Sequence, residues 1–264
     1  MRIVVLTDGI HPDYVGGMQK HSTFLAKHLA GRGVDVDIYL RAPESGTATA
    51  EEQFNAAERA RVKFRYVPFP PAGRFPGHYI RESYVYSSRI FDSLQDCLEV
   101  DFIYAQGFAG WRLLTERSRG LCCAPVGVNF HGLEMFQKAA TPKERLQQWL
   151  FRPFVSSQLR LADAVFSLGG LLGDIITSQG VARERIYLSP NGVDAGWLVS
   201  QPVVSSGVRR FLFVGRYERR KGIEELTRVI ERLAAAGVPF EFDFVGPIPD
   251  QLRLKQSRVR YHGT

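Results

Sequence analysis

Residues 2–21, RIVVLTDGIHPDYVGGMQKH, set a pattern that the rest of the chain repeats. Ile3 to Leu6 is an unbroken apolar run of strand length, the signature of a parallel strand buried on both faces. From Met18 the period changes: Met18, Ser22, Leu25 and Leu29 recur at helical spacing, and Gly31 to Gly33 ends the helix. Between the two lies Gly16-Gly17, with neither the G-x-G-x-x-G of a dinucleotide site nor the G-x-x-x-x-G-K-[ST] of a P-loop. A loop joining a parallel strand to a helix lies at the carboxyl edge of the sheet, where α/β folds bind ligands. Free N–H groups at a helix start favour an anion, and paired glycines let a phosphate or sugar come close to the backbone.

Working outward, the same alternation recurs. VDVDIYL (34–40), VKFRYVPF (62–69), DFIYA (101–105), APVGVNF (124–130), ADAVFSL (162–168) and ERIYLSP (184–190) read as strands. Residues 79–98, 111–119, 142–162 and 170–179 read as helices, and 41–60 and 70–80 as loops. The pattern predicts an α/β fold with a doubly wound parallel sheet in a Rossmann-like domain over 1–195. GWLVSQPVVSSGV (196–208) is rich in Ser, Pro and Gly, so 196–207 reads as a linker. The alternation then restarts with RFLFVG (210–215), a helix over 221–236, FEFDFVG (240–246) and VRYHG (259–263). Residues 208–264 are thus expected to be the first part of a second Rossmann-like domain. They fall short of the ~100–150 residues such a domain takes, so it reads as incomplete.

Composition narrows the chemistry. The chain has 264 residues, 45% of them hydrophobic, and a net charge of +7. Arg far outnumbers Lys, which favours phosphate- or carboxylate-bearing partners. The charge is spread along the chain, which does not point to nucleic acid. Cys97, Cys122 and Cys123 make neither a disulfide framework nor a zinc spacing, so a reducing, cytoplasmic setting is expected. The first apolar run ends at Asp8, too short for a signal peptide, and no uninterrupted apolar window approaches a membrane span.

Several positions carry chemistry. His131, in FHGLE (130–134), follows a strand at the carboxyl edge and is placed to hydrogen-bond a substrate. Arg216 and Lys221, in VGRYERRKG (214–222), flank a strand-to-helix turn. Two cations at a helix start oppose its dipole and become sensible with a diphosphate between them. Arg219 and Arg220 read as solvated. The other histidines, His21 among them, read as ordinary. In SPNGVD (189–194) Asn191-Gly192 reads as a structural turn with Asp194 a cap. Asp35-Val36-Asp37 spells the D-x-D of metal-dependent transferases, but its place inside a strand reads as ordinary solvent-facing aspartates. The helix over 143–160 sets Arg145, Arg152 and Arg160 beside Trp149, Leu150, Phe151 and Phe154. It reads mainly as an interior helix packed on the sheet, with membrane-surface contact as the alternative.

In this order, the stretches resemble the retaining glycosyltransferases of the GT-B fold, the group-one family. The resemblance rests on Pro12, Gly16-Gly17, Leu29, Gly33 and Val36; on His131; on Ala162-Asp163, Val165 and Ser167; on Asn191 to Asp194; and on Gly215-Arg216 with Lys221-Gly222. It implies two Rossmann-like domains and transfer of a sugar from a UDP- or GDP-sugar to an acceptor hydroxyl with retention of configuration, in glycan or glycolipid synthesis. Gly16, Gly17, Arg216 and Lys221 would bind the donor. His131, Arg216 and Lys221 would be catalytic, with no metal or other cofactor required. Gln19, Tyr104, Gln106 and Glu134 are candidates on the acceptor side. The acceptor would be a carbohydrate or lipid-linked, which allows peripheral contact with the inner face of the membrane. Two departures stand out. Tyr104-Ala105-Gln106 replaces the family's H-x-H, and the E-x7-E of the second domain is matched only by the chance spacing of Glu44 and Glu52. The chain is therefore expected to be a fragment, inactive by itself. A sugar-nucleotide epimerase and a non-catalytic nucleotide-sugar-binding module or partner subunit are the alternatives.

Overall fold

The structure is a computed structural model that describes residues 1–43, 49–75, 77–94, 100–139, 141–193, 195–198 and 208–263. The chain divides into two compact units, Met1–Gly192 and Val193–Thr264.

In the first unit the elements run β1 (Arg2–Leu6), α1 (Gly17–Gly31), β2 (Asp35–Arg41), α2 (Ala56–Arg59), β3 (Val62–Val67), α3 (His78–Ser93), β4 (Phe102–Gln106), α4 (Trp111–Arg117), β5 (Val126–Asn129), α5 (Pro142–Leu161), β6 (Ala164–Ser167), α6 (Leu171–Ser178) and β7 (Ile186–Leu188). All seven strands are parallel, in the order β3-β2-β1-β4-β5-β6-β7. β1 therefore sits between β2 and β4, and the winding reverses there. In such sheets that switch point is where ligands bind. Apolar layers cover both faces. Ile3, Val5, Ile38 and Tyr104 pack with α1, while Val4, Leu6, Ile103 and Val128 pack with α3, α4 and α5.

The strands and long helices fall where periodicity placed them, within a few residues. Within the loop expected over 41–60 lie a 3₁₀ turn, Ala50–Gln53, and α2. A capping box between Asn55 and Glu58 starts α2, and buried Phe54 pins it against Phe64. The aspartate pair also differs from expectation. Asp35 is exposed and pairs with Arg61, but Asp37 is buried and pairs with Arg2 Nε at 2.7 Å. Asp35 is the exposed first residue of β2, whereas Asp37 lies two residues further into a strand packed on both faces. Glu44, Cys97, Asp194 and 199–207 of the expected linker lie outside the described residues.

α5 has two characters. Thr141 caps it, accepting from Glu144 N, with Pro142 behind the cap. Past Pro153, Val155 and Leu159 are buried in the core. Ahead of it, Leu146 and Trp149 stand 59% and 65% exposed, so this half is not the interior helix expected. Pro153 has no N–H to continue the ladder at the junction.

The second unit holds β8 (Arg209–Val214), α7 (Ile223–Ala235), β9 (Phe240–Val245) and β10 (Val259–Tyr261), with the parallel order β10-β9-β8. Phe213, Ile223, Ile230, Phe242 and Phe244 form its core. α7 begins at Ile223 rather than Lys221. A 3₁₀ turn, Arg219–Lys221, and Gly222 in the left-handed region precede it.

Candidate functional site

The carboxyl edge of the first sheet is laced together beneath its loops. At the end of β1, the Thr7 hydroxyl lies 3.0 Å from Gln106 Oε1 on β4 and 3.0 Å from Gly9 O. Ser22 on α1 also bonds Gln106 Oε1. All three side chains are buried, so the network fixes β1, its turn, α1 and β4 relative to one another. Gln106 Nε2 is buried with no hydrogen-bond partner among the described residues.

On the α1 side of the edge, four polar side chains meet. Asn129, the last residue of β5, accepts the backbone N–H of His131 at 2.8 Å through Oδ1. His131 takes a left-handed φ of 53°, a conformation unusual for a residue with a Cβ. Asn129 Nδ2 donates to the Tyr104 hydroxyl at 2.8 Å, and that hydroxyl lies 3.2 Å from His21 Nε2. The rings of His21 and His131 meet edge to face with centroids 4.6 Å apart. Burial, and then the neighbouring His21, holds the His131 pKa down at about 4. Burial also lowers that of His21, against a hydrogen bond to the side chain of Asn191. Both rings are thus neutral near pH 7. His131 Nε2 is buried and without a hydrogen-bond partner among the described residues.

On the α3–α5 side lies an open cleft of about 750 Å³. Its walls include Tyr79, Phe108, Phe130 and Phe151, and its polar groups include Asp8, Arg41, Gln106 and Glu134. Tyr79 contacts both Phe108 and Phe151, so these aromatics form one surface. Burial raises the Asp8 pKa, opposed by a 3.0 Å bond that its Oδ1 accepts from Gln19 Nε2. The Arg41 guanidinium lies 4.3 Å from the Phe69 ring centroid and 5.0 Å from that of Tyr14. Glu82 accepts from Gly73 N and bonds His78, tying residue 73 to α3 at the rim.

Comparison with known proteins identifies the family. Residues 15–197 match the family described as Glycosyltransferase Family 4. The chain belongs to glycosyltransferase family 4. A stretch of 161 residues is 25% identical to a Salmonella typhimurium protein named "Putative colanic acid biosynthesis glycosyltransferase WcaL" and covers 61% of this chain but only 38% of that relative. Among solved structures, sucrose-phosphate synthase from Thermosynechococcus elongatus superposes with a TM-score of 0.70 at 16% identity, over 99% of this chain and 70% of that one. Anabaena Alr3699/HepE in complex with UDP and glucose superposes with a TM-score of 0.60 at 18% identity, over 100% of this chain and 69% of that one. At these identities the structural likeness establishes the shared GT-B fold.

On this family 4 chain, the residues expected at the site fall into three groups. His131, Tyr104 and Gln106 converge at the edge of the first sheet. Gln19 reaches it through Asp8, and Glu134 through the cleft. Gly16 and Gly17 open α1, which has no side-chain cap and no acidic residue in its first turn. Gly16 has an extended φ of 176°, so the backbone does not demand glycine there. Gly17 has open space within 4 Å of where a Cβ would stand.

Arg216 and Lys221 lie in the second unit. Arg216 is 72% exposed and pairs with Glu218 at 3.1 Å, while Lys221 Nζ lies against the Gly215 backbone. Arg219 pairs with Glu224 and so is not merely solvated. Gly215 and Gly246 face one another, and a Cβ on Gly246 would stand 2.1 Å from Gly215 O.

Sequence reasoning missed Asp8, Asn129 and, above all, His21. The signal for His21 was one turn of helix, since position 21 lies one turn past Gly17 on α1. Among the described residues, no cluster of three or more His, Cys, Asp or Glu side chains could hold a metal ion.

Proposed function

We propose that the chain moves a sugar from a UDP- or GDP-sugar to an acceptor hydroxyl, with retention of configuration. The carrying observation is the neutral histidine cluster beside an aromatic-walled cleft with a half-buried carboxylate, both at the carboxyl edge of the first sheet. Such a cleft suits a saccharide: rings pack on its apolar faces while Asp8, Glu134 and Gln106 meet hydroxyls. His131, uncharged at neutral pH, would hydrogen-bond the donor sugar rather than protonate it. Gly16-Gly17 and the uncapped start of α1 would accept the donor phosphates. In the second unit, Arg216 and Lys221 would hold the diphosphate and stabilise its charge as it leaves. Those two cations supply the charge that a metal supplies elsewhere, so this reading calls for none. The sugar, the nucleotide and a cytoplasmic setting are parts of the same proposal.

Calorimetric titration tests it. UDP and UDP-glucose are the first probes, because the Anabaena neighbour was solved with UDP and glucose; GDP is the comparison. Diphosphate binding that Arg216→Ala/Lys221→Ala abolishes is expected. Binding unchanged in that variant overturns the assignment of the two cations. Product analysis separates transfer from the epimerase alternative: an epimerised sugar nucleotide, with no nucleoside diphosphate released, overturns transfer.

The front of α5 favours a second element, contact with an anionic membrane surface. Arg145 and Arg152 flank exposed Leu146 and Trp149 around a shallow depression, and the chain carries +7. Basic and aromatic groups on one helix face bind interfaces by combined charge and burial. No helix among the described residues is long and apolar enough to cross a membrane. Flotation with vesicles containing phosphatidylglycerol, lost in Leu146→Ser/Trp149→Ser, is the expected outcome. Protein that stays in the soluble fraction sinks the idea.

A further inference from the structure

The polar atoms around His131 fix one another's roles. The backbone N–H of His131 can only donate, so the Asn129 atom 2.8 Å from it is the oxygen. The other end of that amide is then the NH₂, and it donates to the Tyr104 hydroxyl at 2.8 Å. Gln106 lies on the same face of β4, and its Oε1 is engaged by Thr7 and Ser22. The Asn129 amide can only donate to the phenol, so among the partners of that hydroxyl the acceptor for its hydrogen is His21 Nε2 at 3.2 Å. A neutral imidazole that accepts at Nε2 carries its proton on Nδ1. With Nε2 taken by Tyr104, the hydrogen bond between His21 and the Asn191 side chain is assigned to that N–H. A turn that reads as purely structural in the sequence thus ends the chain of bonds.

We propose that Asn129, Tyr104 and His21 form a one-way hydrogen-bond chain, Asn129 to Tyr104 to His21 to Asn191, that positions His131. Asn129 holds the His131 backbone in its left-handed turn. The edge of the His21 ring, locked as the Nδ1–H tautomer, sets the plane of the His131 ring at 4.6 Å. Tyr104 and His21 are positioning residues, and His131 is the group they present. The role assigned to His131 rests on the proposed transferase reading; the bond chain does not.

Long-range ¹H–¹⁵N spectra of the 264-residue chain test it, because they report the tautomer of each histidine without any assay of activity. His21 is expected as the Nδ1–H form. Tyr104→Phe keeps the ring and removes one hydroxyl. It should return His21 to the commoner Nε2–H form and shift the His131 ring resonances as well. Asn191→Ala, at an exposed turn, should weaken the tautomer preference about tenfold, the size of one net hydrogen bond. A wild-type His21 in the Nε2–H form overturns the chain of bonds. A Tyr104→Phe spectrum in which His131 does not move overturns the positioning claim. Titration of the same samples with UDP-glucose is scored separately, so failure of the transferase reading is distinguishable from failure of this one.

Discussion

The turns β1–α1 and β8–α7 are built on the same plan, a parallel strand running through glycine into a helix, yet they are dressed in opposite ways. β1 has a strand on either side, and Ile3 to Leu6 are all buried. Among the described residues β8 pairs only with β9, and Leu212 and Val214 are exposed. Around the first turn the chemistry is largely enclosed: buried Thr7, Ser22 and Gln106 exchange hydrogen bonds, and two half-buried, uncharged histidines meet edge to face. Around the second it is cationic and open, with Arg216, Arg219 and Lys221 in solvent or on a neighbouring carboxylate. Backbone plan and ligand chemistry are therefore separable. Enclosure makes hydrogen-bond direction decisive, whereas exposure leaves charge as the main means of recognition.

The widest gap between the two regions should appear in stability. Leu6→Ala empties a fully buried site in β1 and is expected to cost ~2–5 kcal/mol, against within ~0.5 kcal/mol for Leu212→Ala on β8. Urea denaturation followed by a probe in each unit checks this. Equal losses would mean that the exposed face of β8 is covered in solution.

Glycines sharpen the contrast next. Gly246→Ala forces a methyl into the Gly215 backbone at positive φ and should destabilise the second unit by about 2 kcal/mol. Gly17→Ala meets nothing within 4 Å and should leave stability unchanged or raise it by under ~1 kcal/mol. Nucleotide binding gives the second readout, since a methyl at 17 would stand where a phosphate is proposed to approach.

A smaller effect is set by pH. Folded His131 protonates only near pH 4, whereas the unfolded chain takes up that proton near 6.5. The unfolded state binds more protons in this window, so stability falls as pH drops from about 6.5 to about 4 and then levels off. His21, also lowered, acts in the same direction. The loss is about 2 kcal/mol after allowing for the solvent the ring retains. His131→Asn, which tolerates the left-handed turn, should flatten the slope in pH-dependent unfolding; an unchanged slope would assign it elsewhere.

Legibility followed the kind of interaction. Strands such as β1 and helices such as α1 were readable because burial imposes a period on neighbouring residues. His131, Tyr104 and Gln106 were legible through spacing and family resemblance. His21 was not, because its ring partner His131 lies in the loop after β5, and nothing near it in sequence distinguishes it from His28 two turns further along α1. The front of α5 was misread for a related reason: aromatic content suggests burial, but only packing tells which half of a helix has a neighbour.

By itself, then, the sequence determined the parallel α/β plan, its second start after residue 208, and the order of motifs that marks a family 4 chain, since local periods and fixed spacings encode these. Only the tertiary structure decided that Asp37 is enclosed, that Asp8 looks into an aromatic cleft, and that Asn129, Tyr104 and His21 meet. Those facts depend on atoms brought within hydrogen-bond reach by elements far apart in the chain, and no local pattern specifies such a meeting.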